Sequence, residues 1–556
     1  MGEQETQVER RLPFPGAVDH EGKVTFTLFA PGKYSVNLIG DFNDWNLHAD
    51  PMVEISPGLW SLERELPRGT FAYQFLIDGQ LVICDPYARY VQDEPGPGPT
   101  RALVKPRESP YAWRHDDWAR PAFKDLQIYE LHIADFTAHR SFDGARKRLN
   151  YVRDLGLNAI ELMPVFGVRE DPGWGYAPVH LFAPNKNYGT PNELRALIDE
   201  AHGLGLAVIL DMVLAHTGPD HVFNRMYPFD QSPWYGIMGE PNEFGLPQFD
   251  YRKEPARWFV RDVLEYWLND YHIDGFRFDY LKIVGVSEDG KHGIPTLGWA
   301  ARQARPDAYL IGELLPEDPQ AIRRSGLDGS WHAYLSYALK ALLCRCEKYG
   351  YDYHTGFVKC VSTLDPHQSG YGDNPLMMVN YVESHDEHRL VLEMIDSGID
   401  MDGARSRSAL AATILFTLAG EPMIYSGQSW GEASPKNMDH NFQSWEQLDS
   451  PPGKILHDHY QRMATLRRDH DCLRSPNFRM EAVYEEQKSI VYHRWNGVGG
   501  EILVAANFSD QVQKVKVPFP TAGVWLEFTG NQEQYHEGTV EMEIGAGAAL
   551  VFIKRM

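Results

Sequence analysis

Cysteine and long apolar runs are both scarce in this sequence. Only 5 of its 556 residues are cysteines, and none of these has the paired spacing of a zinc site. We therefore expect reduced thiols and a cytoplasmic environment. No apolar run of about 20 residues occurs, so no membrane span is expected. The polar start, MGEQETQVERR, lacks the apolar core of a secretory signal.

Basic residues are also in deficit. The chain has 53 Lys and Arg against 77 Asp and Glu, a formal net charge of -24. Such a chain is repelled by phosphate backbones, so we expect no nucleic-acid partner. A neutral polysaccharide is not repelled. The 14 Trp residues suit stacking on sugars, although most aromatic side chains in proteins fill hydrophobic cores.

The length exceeds what one hydrophobic core supports, and the hydropathy pattern divides the chain. Residues 1–20 are interpreted as a polar tail. Residues 21–105 alternate apolar and polar positions between turn signals, which predicts a β-sandwich. The run DEPGPGPTR, which starts at Asp93, is typical of a linker.

The remainder of the chain has two patterns. Over residues 120–450, short apolar strands alternate with amphipathic helices, which predicts a (β/α)₈ TIM barrel with a short insert at about 217–257. Residues 456–556 read as a helix followed by strands, a separate C-terminal β-sandwich domain. The predicted fold class is thus α/β, a barrel flanked by an N-terminal β-sandwich and a C-terminal all-β domain.

Charged residues stand where several predicted barrel strands end. They are Asp211 and His216 after the third strand, Arg277 and Asp279 at the fourth, Glu313 at the fifth, and His385 and Asp386 after the seventh. Functional groups of TIM barrels lie at this end of the strands, and charges beside apolar strands are costly without a purpose. The alternative is a set of structural ion pairs, which the joint occurrence of all seven residues disfavours.

Cleavage of a glycosidic bond needs such carboxyl groups. One carboxyl protonates the leaving oxygen, while the other attacks the anomeric carbon or activates water. Arg277 lies two residues before Asp279 and therefore points to the same side of a strand. Its charge can keep Asp279 ionised and oriented.

The sequences of these segments and their order along the chain resemble those of the α-amylase family, glycoside hydrolase family 13. The matching segments are DMVLAH from Asp211, GFRFDYLK from Gly275, IGE from Ile311, VESHD from Val382, GWGYAPVHLF from Gly173 and GEPMIYSGQ from Gly420. The resemblance implies that Asp279 is the nucleophile, Glu313 the general acid/base and Asp386 the transition-state stabiliser. It also implies substrate contacts by Trp174, Tyr176, Asp211, His216, Arg277, Lys282 and His385.

The N-terminal sandwich resembles carbohydrate-binding module family 48 through GDFNDWN from Gly40 and FLIDGQ from Phe75. This resemblance makes Trp45 the candidate glycan contact. Glycogen-binding relatives carry a further Trp and a Lys where this chain has Leu81 and Gln74, so a structural role for Trp45 stays open.

The sequence departs from the family pattern at two places, the calcium-binding site and the acceptor side of the substrate cleft. The family's calcium-binding members have Asn where this chain has Ala215, which offers no side-chain oxygen, so we expect no calcium and no other cofactor. The usual GQE reads Gln428 and Ser429 followed by Trp430, which predicts a changed acceptor side of the cleft.

The resemblance implies a retaining enzyme that cleaves α-1,4-glucosidic bonds of an α-glucan or maltooligosaccharide by double displacement, with hydrolysis and transglycosylation. The sandwich module, the small insert, Ala215 and the SHDE run from Ser384 also resemble glycogen branching enzymes, so 1,4-α-glucan branching is the alternative. A non-catalytic glycan-binding protein is a third interpretation, disfavoured by the intact carboxyl set.

Overall fold

The structure is a computed structural model that describes residues 15–92, 100–169, 174–236, 242–438 and 441–555. Most of the predicted N-terminal tail, residues 93–99 of the predicted linker and Gly173 lie outside these ranges. Within them, no helix is both long enough and apolar enough to cross a membrane.

The N-terminal module packs two antiparallel sheets face to face. One contains Gly16–His20, Lys23–Phe29, Val53–Ser56 and Leu59–Glu65, and the other contains Val36–Gly40, Asp50–Pro51, Phe71–Ile77, Leu81–Ile83, Val91–Gln92 and Arg101–Val104. Gly16–His20 pairs with Lys23–Phe29, so the module begins inside the predicted 1–20 tail. The polar sequence of this edge strand, GAVDH, conceals it because only one of its faces packs on the core.

A closed barrel of eight parallel strands follows. In chain order, β1 to β8 are Ile128–Leu131, Ala159–Leu162, Ala207–Met212, Gly275–Phe278, Tyr309–Gly312, Gly329–Trp331, Met378–Asn380 and Glu421–Tyr425. β1 pairs with β8 and closes the barrel. These strands are buried on both faces, which explains their nearly continuous apolar sequences. The predicted TIM barrel is confirmed.

Helices surround the barrel and connect its strands. They are Ile133–Phe136, Phe142–Arg146, Leu149–Leu155, Pro191–Gly203, Val222–Met226, Glu254–Asp270, Leu281–Val284, Ile294–Ala304, Pro319–Arg324, Ala333–Cys344, Phe357–Ser362, Leu390–Asp396, Met401–Thr417, Trp445–Asp449 and Pro451–Asp469. Short hairpins join Phe166–Gly167 to His180–Pro184 and Glu347–Lys348 to Tyr351–Asp352. The helix that precedes β3 begins with a capping box between Thr190 and Glu193.

The last of these helices, Pro451–Asp469, belongs to the barrel. Tyr460 hydrogen-bonds Ser408 at 3.1 Å, and His459 Nε2 lies 2.9 Å from the Thr413 hydroxyl on helix Met401–Thr417. The predicted boundary at residue 456 is therefore wrong. An amphipathic pattern predicts that a helix has a buried face, but not which domain covers that face.

The C-terminal domain is all-β, as predicted. Its larger sheet contains Phe478–Tyr484, Ser489–Trp495, Glu501–Asn507, Gly523–Glu527, Gln532–His536 and Ala548–Lys554, and Gln513–Pro518 pairs with Thr539–Ile544. Arg494 fixes this domain to the barrel by donating to the Thr417 carbonyl at 2.8 Å.

The insert between β3 and β4 lies against the N-terminal module. Lys33 of the module donates to the Met226 carbonyl at 2.6 Å, and the Tyr227 hydroxyl donates to the Pro31 carbonyl at 2.7 Å. The insert is thereby supported from outside the barrel while its other side reaches the barrel rim.

Candidate active site

The floor of the site is the uppermost layer of side chains inside the barrel. Side chains two residues apart on a strand point to the same side. Strand residues at the barrel centre include Ile128, Ala159, Ile209 and Ile311. The residues two positions later therefore also point inward, at the carboxyl ends of their strands, and they are Glu130, Glu161, Asp211 and Glu313.

Arg277 is the central cation of this layer. It is fully buried, and its Nη1 donates to Asp211 Oδ1 at 2.8 Å and to Asp279 Oδ1 at 3.0 Å. Its Nη2 lies 3.0 Å from Glu313 Oε2. The guanidinium carbon lies 4.1 Å from the ring centroid of Trp331. One guanidinium thus binds three carboxyl groups and fixes them relative to each other.

Asp279 and Glu313 form a coupled pair. Burial raises the pKa of the Asp279 carboxyl, and the Arg277 charge opposes this while Glu313 reinforces it. Burial likewise raises the pKa of Glu313, with Arg277 and the Tyr280 N–H, which donates at 2.8 Å, acting against it. Two neighbouring carboxyls in a site of low dielectric favour one shared proton over two charges.

Asp386 lies on the opposite wall beside His385. His385 Nε2 is 3.3 Å from Asp386 Oδ1, and the ring stacks on Tyr176 at 5.0 Å between centroids. Trp174 meets the same imidazole edge-on at 5.4 Å. The Tyr176 hydroxyl in turn donates to Asp211 Oδ2 at 2.5 Å. This wall is therefore tied to the floor through Tyr176.

The pocket above this floor has a volume of about 580 Å³. Its lining includes Trp174, Tyr176, His216, Asp279, Glu313, His385 and Asp386. Asp211 and Arg277 lie below the floor, at 1% and 0% exposure, and do not line it. Lys282 also lies outside the lining, with its Nζ 3.7 Å from Glu243 Oε1 on the rim. The structure thus brings most of the predicted residues together and places these three around them.

His216 uses both ring nitrogens within the protein. Nε2 contacts the Tyr176 carbonyl at 2.8 Å, and Nδ1 accepts from the Asn242 amide at 3.2 Å. A carbonyl only accepts, so Nε2 carries the proton. Burial lowers the pKa of His216, which favours this neutral form. The ring therefore positions Tyr176 while presenting its face to the pocket.

Two sequence expectations concern residues outside the pocket. Gln428 bonds the Tyr460 hydroxyl at 3.1 Å, and Ser429 bonds the Tyr151 hydroxyl at 2.5 Å, both behind β8. Both side chains point away from the cleft, so any change on the acceptor side comes from the absence of the usual glutamate and not from a contact by these two residues. Trp45 donates to Asp41 at 3.0 Å, and Arg101 covers one ring face at 3.9 Å, which favours its structural role.

Two features were not predicted from the sequence, an aromatic rim of the pocket and a buried partner of His385. Tyr280 and Phe244 line the pocket and meet edge-to-face at 5.6 Å between ring centroids, and the Tyr280 hydroxyl donates to Glu243. Glu130 binds His385. A Glu inside the apolar strand IYEL was the available signal for this partner, whereas the rim depends on an irregular loop that carries no periodicity.

The chain is similar to known carbohydrate-active proteins over most of its length. Residues 127–237 and 240–476 match the family described as "Alpha amylase, catalytic domain", and residues 15–88 match "Carbohydrate-binding module 48 (Isoamylase N-terminal domain)". The chain is 29% identical to malto-oligosyltrehalose trehalohydrolase of Saccharolobus solfataricus over 76% of each chain. It is 26% identical to the 1,4-alpha-glucan branching enzyme GlgB of Corynebacterium jeikeium over 94% of this chain and 78% of the relative.

The solved structures agree in fold. Type I pullulanase from Bacillus subtilis superposes with a TM-score of 0.82 at 22% identity, covering 98% of this chain and 86% of the pullulanase. The family match spans well over half of the sequence and contains every strand of the barrel. With its barrel, its strand-end carboxyl set and its N-terminal module, the chain belongs to the α-amylase family of glycoside hydrolases and transglycosylases.

Proposed function

We propose that this protein cleaves α-1,4-glucosidic bonds of α-glucans or maltooligosaccharides with retention, by hydrolysis accompanied by transglycosylation. One observation carries the proposal above the others. Asp279 and Glu313 are held by the two terminal nitrogens of one buried guanidinium at the floor of an open pocket. In our proposal, this arrangement presents a nucleophile and a proton donor to the same glycosidic bond of the substrate.

The first step uses the shared proton. Glu313 gives that proton to the glycosidic oxygen while Asp279 attacks the anomeric carbon, and a glucosyl ester forms on Asp279. Esterification removes the negative charge of Asp279, so Glu313 ionises more readily. Glu313 then takes a proton from water or from a sugar hydroxyl, which attacks the ester and restores the enzyme.

The wall residues hold the reacting sugar. Tyr176 offers an aromatic face, and Asp386, with 48% of its side chain exposed, offers free carboxylate oxygens for sugar hydroxyls. Trp174 and the ring of His216 complete the wall, and Lys282 stands at the rim. Asp211 and Arg277 act from below by orienting Tyr176 and the catalytic pair.

Branching is the second candidate function, and it is favoured by the length over which this chain aligns with a branching enzyme. The similarity to a branching enzyme extends over 94% of this chain, including the N-terminal module. A sugar 6-hydroxyl would then replace water as the acceptor at the glucosyl ester, with the same first step.

The test is product analysis on amylose, maltooligosaccharides and malto-oligosyltrehalose, with Asp279→Asn as the inactive control. Hydrolysis gives new reducing ends, which ¹H NMR of fresh product should show in the α configuration. New α-1,6 linkages without matching reducing ends would establish branching instead. β-Configured fresh product would reject retention, and no change in any substrate would reject catalysis.

A further inference from the structure

Two glutamates that the proposed reaction does not use lie side by side inside the barrel. Glu130 on β1 and Glu161 on β2 are register partners, and their exposures are 0% and 1%. Buried carboxyl groups are costly unless they are paired or protonated. These two glutamates meet that cost in different ways.

Glu130 is bound to His385 twice. Its Oε1 lies 2.6 Å from His385 Nδ1, and its Oε2 accepts from the His385 backbone N–H at 3.1 Å. Glu161, by contrast, has no hydrogen-bond partner for either oxygen among the described residues. Burial, followed by the Glu130 charge, raises the pKa of Glu161 well above its usual value, which favours the protonated form.

The imidazole of His385 lies between two carboxyl groups. Glu130 faces Nδ1, and Asp386 faces Nε2 at 3.3 Å. Carboxylate oxygens only accept hydrogen bonds, so both contacts are favourable only when both ring nitrogens carry a proton. A neutral imidazole would turn a lone pair toward one of the two anions.

We propose that Glu130 is a positioning residue that holds His385 as an imidazolium, and that this cation fixes Asp386 for the reacting sugar. The inference rests on the proposed function for its activity readout. Its charge state is a separate property of the folded protein, which can be measured without turnover.

Several charged groups surround the imidazolium. Glu130 acts on it from β1, Glu161 from β2 and Arg277 from β4, while Asp386 and Glu387 belong to the same loop as His385. The ring is enclosed by the aromatic side chains of Tyr176, Trp174 and Trp331. Burial alone would lower the pKa of His385, and Arg277 also lowers it. The charges of Asp386 and Glu130 outweigh both and raise it to about 10.

The effect reaches Asp386. Partial removal from water at the pocket wall would raise the pKa of this half-exposed carboxyl, but the charge of His385, followed by those of Arg277 and Lys436, lowers it. An ionised Asp386 accepts hydrogen bonds from sugar hydroxyls more strongly than a protonated one. Glu130 thus acts on substrate only through His385, one layer above it.

The chain supplies a matched pair of variants, Glu130→Gln and Glu161→Gln. Both replace a buried carboxyl by an isosteric amide in the same layer. Glutamine at 130 can still accept from Nδ1 through its one amide oxygen, but its NH₂ cannot accept from the His385 backbone N–H, so the variant removes the charge together with one of the two hydrogen bonds. The opposite-charge contribution to a pKa is about 1 to 3 units, so His385 should then titrate that much lower.

The activity readout is kcat/KM on an α-maltosyl fluoride, whose leaving group needs little protonation and so leaves Glu313 out of the pH profile. We expect the ratio of Glu130→Gln to wild type to fall about tenfold between pH 6 and pH 9, following loss of the His385 proton. The same ratio for Glu161→Gln should stay constant. A flat ratio for Glu130→Gln, or an equal fall for both variants, would overturn the proposal.

A second measurement determines the charge state of His385 in the wild-type protein itself. ¹⁵N NMR of the His385 ring, assigned by its loss in His385→Asn, should show both nitrogens protonated in the wild type at pH 8. A neutral ring at that pH would overturn the assignment. Glu130→Asp retains the charge, and its activity ratio should not vary with pH. The two proposals can fail separately. A wild-type protein that is inactive but has a charged His385 would refute the proposed function and leave the assignment of the imidazolium standing.

Discussion

Replacing Arg277 with Met removes the one cation that binds Asp211, Asp279 and Glu313. The guanidinium is fully buried and makes contacts of 2.8 to 3.0 Å with these groups. Removing one member of a buried ion pair costs about 3–5 kcal/mol, because the partner charges stay buried. Methionine adapts to the remaining space, so the loss is chiefly electrostatic.

The loss of folding stability in Arg277→Met should be larger at high pH than at low pH. Burial already raises the pKa values of Asp279 and Glu313, and Arg277 opposes the rise. Without Arg277 both values move further above those of the unfolded chain. The folded variant then binds more protons than the unfolded chain, so its stability grows as pH falls and is lost as pH rises through the folded values.

The measurement is the melting temperature of the variant relative to wild type at pH 5 and pH 8. A large chain of several domains does not unfold in one step, so the barrel transition is followed by calorimetry. We expect a fall of roughly 4 to 7 °C at pH 8 and a smaller fall at pH 5. Arg169→Met is the control, because its pair with Asp220 is 59% and 44% exposed and should contribute about 0–1 kcal/mol. An equal deficit at both pH values, or a larger one at pH 5, would refute the reasoning.

Three further predictions concern activity. Asp279→Asn should lower turnover on the order of 10⁴-fold while the fold is retained, and residual activity above a tenth would contradict its role as nucleophile. Exhaustive chelation should change neither activity nor melting temperature because of Ala215; a loss that calcium alone restores would contradict this. Phe244→Ala should lower the ratio of transfer to hydrolysis, since Phe244 is 66% exposed on the pocket rim. Tyr34→Ala, 91% exposed on the N-terminal module, is its control, and an unchanged ratio for Phe244→Ala would exclude an acceptor contact.

The barrel was predictable because its signal is repeated. Each strand is a short apolar run followed by a helix pattern, and the order of eight such units leaves few topologies. The module's first strand was missed because GAVDH has too little apolar character to exceed its polar surroundings. The helix Pro451–Asp469 was assigned to the wrong domain because its partner, helix Met401–Thr417, cannot be read from periodicity.

The site was predictable to the extent that strand ends fix it. Asp279 and Glu313 could be placed together because neighbouring parallel strands end at the same edge of the barrel. The bond between Glu130 and His385 joins β1 to the loop after β7, 255 residues apart, and no local pattern encodes it. No local pattern predicts the direction of the Gln428 side chain either, which leaves the end of β8 on the outer side of the barrel and bonds a helix.

The charges inside the barrel also constrain what the site can select. Arg277, His385 and Lys436 are the cations that act on the described carboxyl groups of the floor and wall, and these carboxyl groups outnumber them. In the proposed mechanism, a proton held on the Asp279–Glu313 pair is the proton that bond cleavage requires. Hydrolysis, transfer and branching all begin from this state, so the floor cannot choose among them. We therefore propose that the rim makes this choice, because Tyr280 and Phe244 line the pocket there and contact each other.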